Sequence, residues 1–120
     1  MQSTGIFALA SQQAKWLAVR QQTIAENVAH ANIPGYSAKD VVPFKALLEA
    51  GPARLAMTDS RHLASANTYD GIALETTTGA GEPVSIEKEM MKTTQVRGEY
   101  ELNTAIVSAF HRMILTAAKV

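Results

Sequence analysis

Residues 4–31 read TGIFALASQQAKWLAVRQQTIAENVAHA, and their spacing decides the fold. Phe7, Ala10, Ala14, Leu17, Gln21, Ile24, Val28 and Ala31 recur at alternating steps of three and four, and only Gln21 is polar. That is a heptad seam, the pattern that lets one helix lie along another over several turns. The spacing predicts a helix from about Thr4 to Ala31, capped by Ser3 or Thr4, whose hydroxyl would accept an orphan backbone N–H. At about 1.5 Å per residue it would span roughly 40 Å. Its stop is abrupt. Pro34 pushes Ile33 out of the α region and has no N–H to donate. Pro34-Gly35 suits the two centres of a type II turn.

A second helical pattern closes the chain, from about Ser85 to Ala118. Ser85 is the expected N-cap, and Glu87 and Glu89 suit the positive end of the helix dipole. Leu102, Ala105, Ile106, Ala109, Phe110, Met113, Ala117 and Val120 form a broad apolar stripe. Gly98 interrupts the helix at a cost on the order of 1 kcal/mol relative to Ala, and marks a bend or a close helix contact. The acidic residues Glu87, Glu89, Glu99 and Glu101 alternate with Lys88, Lys92 and Arg97, which reads as a solvated, ion-paired face.

Between the helices the pattern is irregular. Pro43 to Ala50 reads as two turns of helix, with Phe44, Leu47 and Leu48 on one side and Gly51-Pro52 ending it. Leu55 to Met57 and Ile72 to Leu74 read as short strands, and Thr76 to Glu82 as a glycine-bearing link. The division is therefore an N-terminal helix over 1–34, an irregular middle over 35–83 with its short helix near 43–50, and a C-terminal helix over 84–120. The expected fold is all-α dominated, its two long terminal helices packing as an antiparallel, coiled-coil-like hairpin. The Ala-rich seam gives modest hydrophobic gain per turn, so a free monomer is expected to fray at its termini.

The bulk composition narrows the function. At 120 residues the chain suits one small domain, and 47% hydrophobic but only 6% aromatic content favours a buried stripe over a thick core. Eleven basic residues balance eleven acidic ones, which argues against nucleic acid as a partner and leaves little repulsion against self-association. The chain has no cysteine, so disulfides, thiolate metal sites and a Cys nucleophile are excluded. Met1 to Ala14 hold no basic residue to start a secretory signal, and no apolar run approaches a membrane span, so neither a cleaved signal nor membrane insertion is expected. Export by a route that needs no such signal stays open.

No constellation for chemistry stands out. His30, His62 and His111 lack metal-ligand spacing, so no metal is expected. Asp59, Ser60 and His62 read as a surface loop rather than a triad, and His111 as a packing or helix-contact residue. Gly79-Ala80-Gly81 lacks the Lys-Ser/Thr ending of a phosphate loop. Neither cofactor, small-molecule substrate nor catalysis is expected. Trp16, off the seam, either packs on the middle segment or anchors a neighbour.

Asn27-Val28-Ala29-His30-Ala31-Asn32-Ile33-Pro34-Gly35-Tyr36 has a plain reading as a helix end and proline turn, with Asn32 capping and Tyr36 folding back. It also resembles the signature of flagellar axial proteins, an N-terminal helix with an Asn-rich end and a Pro-Gly-Tyr turn. His30 and Ile33 depart from it, standing where that family more often has Asn and Thr. Ser37-Ala38-Lys39-Asp40, Phe44-Lys45-Ala46-Leu47-Leu48, Leu55-Ala56-Met57-Thr58, His62-Leu63 and Glu87-Lys88-Glu89-Met90-Met91-Lys92 follow in an order that resembles the proximal rod members over nearly the whole chain. The resemblance implies a structural subunit of the basal-body rod, exported unfolded by the flagellar type III apparatus and assembled in the periplasm. Its implied partners are copies of itself, other proximal rod proteins, the rod–ring junction protein and the export gate. Phe7, Leu17, Ile24, Asn27, Val28, Asn32, Pro34, Gly35, Tyr36, Ile106, Phe110 and Met113 are the expected motif and contact residues. The residues by themselves also allow a cytosolic helical-hairpin adaptor that binds one partner helix.

Overall fold

Two long helices, α1 (Gln2–Ala29) and α3 (Ile86–Ala118), run antiparallel and pack along their length in the computed structural model, which describes residues 2–50, 74–76 and 83–119. Three contacts set the register. The Phe7 and Phe110 rings meet edge to face at 5.6 Å. The Asn103 side-chain amide donates to the Ala10 carbonyl at 2.9 Å, and Asn27 meets Glu89 at the other end.

The inner face of α3 repeats every seven residues through Glu89, Val96, Asn103 and Phe110, the first three buried and Phe110 half-buried. A seven-residue repeat keeps one face against a partner helix. Two of these four positions are polar, and each bonds α1. Sliding the helices by one turn would strand both groups, so the polar positions fix the register.

α1 starts before the expected cap. Ser3 and Thr4 lie inside it, so neither is its N-cap. It ends by tightening, with Ala31 N–H bonded to Val28 O and Ile33 N–H to His30 O. The chain then reverses at residues 33–36. Tyr36 N–H donates to Ile33 O at 3.2 Å, and Gly35 sits at φ +79°, the left-handed third position that defines a type II turn.

Strand β1 (Lys39–Val41) follows and pairs antiparallel with β2 (Leu74–Thr76), Asp40 opposite Glu75. The sequence pattern did not reveal β1, because three residues are too short to show alternation. Helix α2 (Phe44–Ala50) begins from Pro43, whose carbonyl accepts the Leu47 N–H. The expected strand at Leu55 to Met57, the Gly51-Pro52 stop, Ile72 and the link beyond Thr76 lie outside the described residues.

The core gathers where β1 and α2 lean on the helix pair: Trp16, Leu17, Val19, Ile24, Val41 and Val96, flanked by Phe44 and Leu47. Burying each large apolar side chain is worth about 1.5–3 kcal/mol, and among the described residues this cluster is where such burial is concentrated. Trp16 therefore packs on the middle segment. Its indole N–H donates to the Val42 carbonyl at 2.7 Å and its ring lies 5.9 Å from that of Phe44. α3 starts as expected at Ser85, whose hydroxyl accepts the Lys88 N–H. Gly98 makes no close contact, since an added Cβ would meet nothing within 4 Å.

Candidate assembly site

Asn27 lies in the last turn of α1 and is 0% exposed. An amide side chain offers two N–H donors and an oxygen with two acceptor positions. All four are used. Nδ2 donates to the Lys39 carbonyl at 2.7 Å and to Glu89 Oε2 at 3.0 Å. Oδ1 accepts from the Lys39 N–H at 3.0 Å and from the Tyr36 hydroxyl at 3.2 Å. Asn27 thus pairs with the β1 backbone as a neighbouring strand would. It ties α1, the turn, β1 and α3 to one side chain.

Glu89 is 2% exposed, which corrects its reading as part of a solvated face. Its second oxygen accepts from Lys92 Nζ at 3.0 Å, and Lys92 in turn lies 3.8 Å from Asp40. Asp40 takes two N–H bonds from Arg20, at 3.2 and 3.4 Å, and one from the Val41 backbone at 2.8 Å. Arg20 lies 5.5 Å over the Trp16 ring. The chain of polar contacts therefore runs from α3 through β1 to α1. A buried carboxylate is tolerable only when paired and hydrogen-bonded, and Asn27 and Lys92 meet that need.

Tyr36 folds back onto α1, its ring 4.9 Å from that of His30. Burial first, then the negative charges of Glu26 and Glu89, push its phenol above the usual value. It stays protonated and able to donate to Asn27. His30 Nδ1 is buried with no hydrogen-bond partner.

The other end of the helix pair is built differently. On α3, Leu102 is 61% exposed, Ile106 50% and Met113 64%. The expected apolar stripe is thus divided: Phe110 turns toward Phe7, while Leu102, Ile106 and Met113 face away from α1 as an uncovered ridge. Ile6 and Leu9 on α1 and Ile114 and Leu115 on α3 are exposed at the same end. His111 is exposed rather than packed.

The expected site residues fall into three places. Leu17 and Ile24 belong to the core, with Phe7 and Phe110 half-buried against each other. Asn27, Tyr36 and the exposed Asn32, Pro34 and Gly35 form the buried bond network and the turn leading from it. Val28, Ile106 and Met113 face outward. Sequence reasoning missed Glu89, Lys92, Asp40 and Arg20. The one available signal was that Glu89 stands seven residues before Val96 and fourteen before Asn103. Among the described residues no group of three or more acidic, His or Cys side chains is placed to hold a metal. No described helix is long and apolar enough to cross a membrane.

No family model matches the chain. It is 38% identical over 129 aligned residues to the flagellar basal body rod protein FlgB of Agrobacterium fabrum (strain C58 / ATCC 33970), an alignment covering 99% of this chain and 96% of that relative. The chain belongs to the FlgB family of flagellar basal body rod proteins. Its role is structural, in the flagellar basal body. FlgB membership agrees with a polar network that fixes shape and an apolar ridge left open, neither of which is a catalytic arrangement.

Proposed function

We propose that the chain is a subunit of the proximal rod, exported through the flagellar type III apparatus and polymerised in the periplasm through its terminal helices. The observation that carries this reading is the ridge of Leu102, Ile106 and Met113, all half or more exposed on a helix whose inner face is already occupied by α1. An apolar ridge of this kind on a lone chain marks an interaction surface. Copies of the chain, other proximal rod proteins, the rod–ring junction protein and the export gate are the partners that this position in the rod requires. The network at Asn27 supports the same reading. It joins residues 62 apart, so an exported chain completes it only after its C-terminal helix has emerged.

The test deletes the gene and restores it with an epitope-tagged copy. Deletion is expected to leave basal bodies without a rod by electron microscopy, and the tagged chain to co-purify with restored basal bodies. Intact rods in the deletion strain, with the tagged chain held in the cytoplasm on a single partner, would overturn the rod assignment in favour of an adaptor.

A further inference from the structure

The flank of the helix pair that β1 and α2 cover does not end where they end. A cleft under that cover is lined by Gln13 and Trp16 on α1, by Gln95 and Glu99 on α3, and by Pro43 and Phe44 at the start of α2. A step of seven residues returns a helix to nearly the same face, drifting only ~20°. Seven residues before Gln13 and Trp16 stand Ile6 and Leu9. Seven after Gln95 and Glu99 stand Leu102 and Ile106, with Met113 seven further on. The same flank thus continues toward the two chain ends with large apolar side chains only. These are 37–64% exposed.

Charge is sorted along the same axis. Acidic and basic residues balance over the whole chain, yet residues 2–14 hold no charged side chain, and residues 102–120 hold Arg112 and Lys119 and no acidic one. Arg112 and Lys119 lie about 100° and about 120° round α3 from the centre of the apolar line, on the side away from α1. They are therefore set back from its crest by about 5 Å, half the width of a helix with its side chains. On the other side of the line, α1 brings no charge to it. A protein partner held by charge needs cations that face it. A bilayer needs apolar side chains at the centre of the contact and long cationic ones at its border, where they reach lipid phosphates as the crest enters the headgroup layer. A fluid surface also needs no matching shape.

We propose that this flank rests the free chain on an anionic lipid surface, with the helix pair lying in the plane of the interface. No described helix is long and apolar enough to cross a membrane, so the contact is peripheral. It goes beyond the rod function and does not depend on it. Lipid occupies the face in the free chain, and the proposed rod contact takes its place on assembly.

The test is flotation of the purified full chain with vesicles of phosphatidylglycerol and phosphatidylcholine in equal parts, against vesicles of phosphatidylcholine alone. Binding to the anionic vesicles is expected to be stronger by about tenfold or more. Arg112→Gln and Lys119→Gln should each weaken it about fivefold, and Lys88→Gln, at the far end of α3, should leave it unchanged. Ile106→Asp should weaken it about tenfold or more. The chain has no cysteine, so a polarity-sensitive dye can be placed on single introduced thiols. On anionic vesicles the dye should shift to the blue at Met113→Cys and not at Ala18→Cys, which lines the hollow on the opposite flank. Failure to float with anionic vesicles, or equal flotation with both kinds, would overturn the inference and leave the rod function standing. So would a loss at Lys88→Gln equal to that at Arg112→Gln, or equal dye shifts at the two thiols, since attraction would then not use this face. Binding to poly-glutamate but not to vesicles would overturn it too, and would assign the face to an acidic protein.

Discussion

Every polar atom of the Asn27 side chain finds its partner inside the chain. Around Met113, at the opposite end of the same helix pair, Leu102, Ile106, Met113 and Leu115 stand about half or more exposed. The two ends use the same two helices, so helix propensity does not separate them. What differs is the third element. Near Asn27, β1 and the 33–36 turn cover the seam, and the buried charge of Glu89 is matched by Lys92 and Asp40. Near Met113 no described element lies over α3, and its inner face offers only Phe110, Val107 and small neighbours to α1. One end is finished as a monomer. The other carries its apolar surface outward, where the assembly contact is proposed. The comparison teaches that one helix pair can be fixed at one end by polar, internal contacts while its other end keeps large apolar side chains in solvent.

The largest effect that tests this contrast is at Glu89. Glu89→Ala removes a buried carboxylate, leaving one of the two Asn27 Nδ2 N–H donors unpaired and Lys92 with Asp40, 3.8 Å away, as its remaining carboxylate. Breaking a buried pair in this way costs about 3–5 kcal/mol. Urea unfolding should show the loss. Met113→Asp, by contrast, changes an exposed position and should shift stability by less than about 0.5 kcal/mol while preventing rod growth. If the two substitutions destabilise the monomer equally, the ends are not different in kind. If Met113→Asp builds normal rods, the ridge is not the assembly surface.

These two residues also show what was legible beforehand. Periodicity placed both helices, and local chemistry placed Ser85 and the Pro34-Gly35 turn, because caps and turns depend on neighbours in sequence. Periodicity states which residues share a face; it does not state what covers that face. Hence Phe110 and Met113 read as one stripe, although the first meets Phe7 and the second meets solvent. Glu89 sits among alternating charges, and on such a stretch a buried carboxylate looks like its exposed neighbours Glu87 and Lys88. Its partner Asn27 stands 62 residues away, and no local pattern spans that distance. Asn27 itself was flagged only through the motif that the chain shares with flagellar axial proteins.

A smaller effect sharpens the role of the turn that feeds the network. Gly35 adopts φ +79°, and an added Cβ would meet nothing within 4 Å. The cost of Gly35→Val is therefore backbone strain alone, about 1–3 kcal/mol for a β-branched residue in the left-handed region. Gly35→Asn should cost clearly less, because Asn tolerates that region. Both variants should stay soluble, with swimming in soft agar falling further for Val than for Asn. Equal motility of the two would show that the turn does not depend on its left-handed residue, and that the network forms without it.

The smallest effect isolates one bond of the network. Tyr36→Phe deletes the hydroxyl that donates to Asn27 Oδ1, while the Lys39 N–H still bonds the same oxygen. The loss at neutral pH should be about 1 kcal/mol or less. The pH dependence is more specific. The folded chain holds the Tyr36 phenol above its ordinary 10.0, so the folded state keeps this proton more tightly than the unfolded one. The stability linked to it is complete below 10.0 and declines as pH rises past that value, because ionisation would set a phenolate beside Glu26 and Glu89. Phe has no proton to lose. Wild type should therefore be the more stable of the two at neutral pH, and its advantage should shrink and then disappear in alkali. The remaining tyrosine background is common to both proteins and cancels in the difference. A difference that stays constant well above 10.0 would mean that Tyr36 titrates as an exposed phenol, and that the network around Asn27 is open to water at the turn.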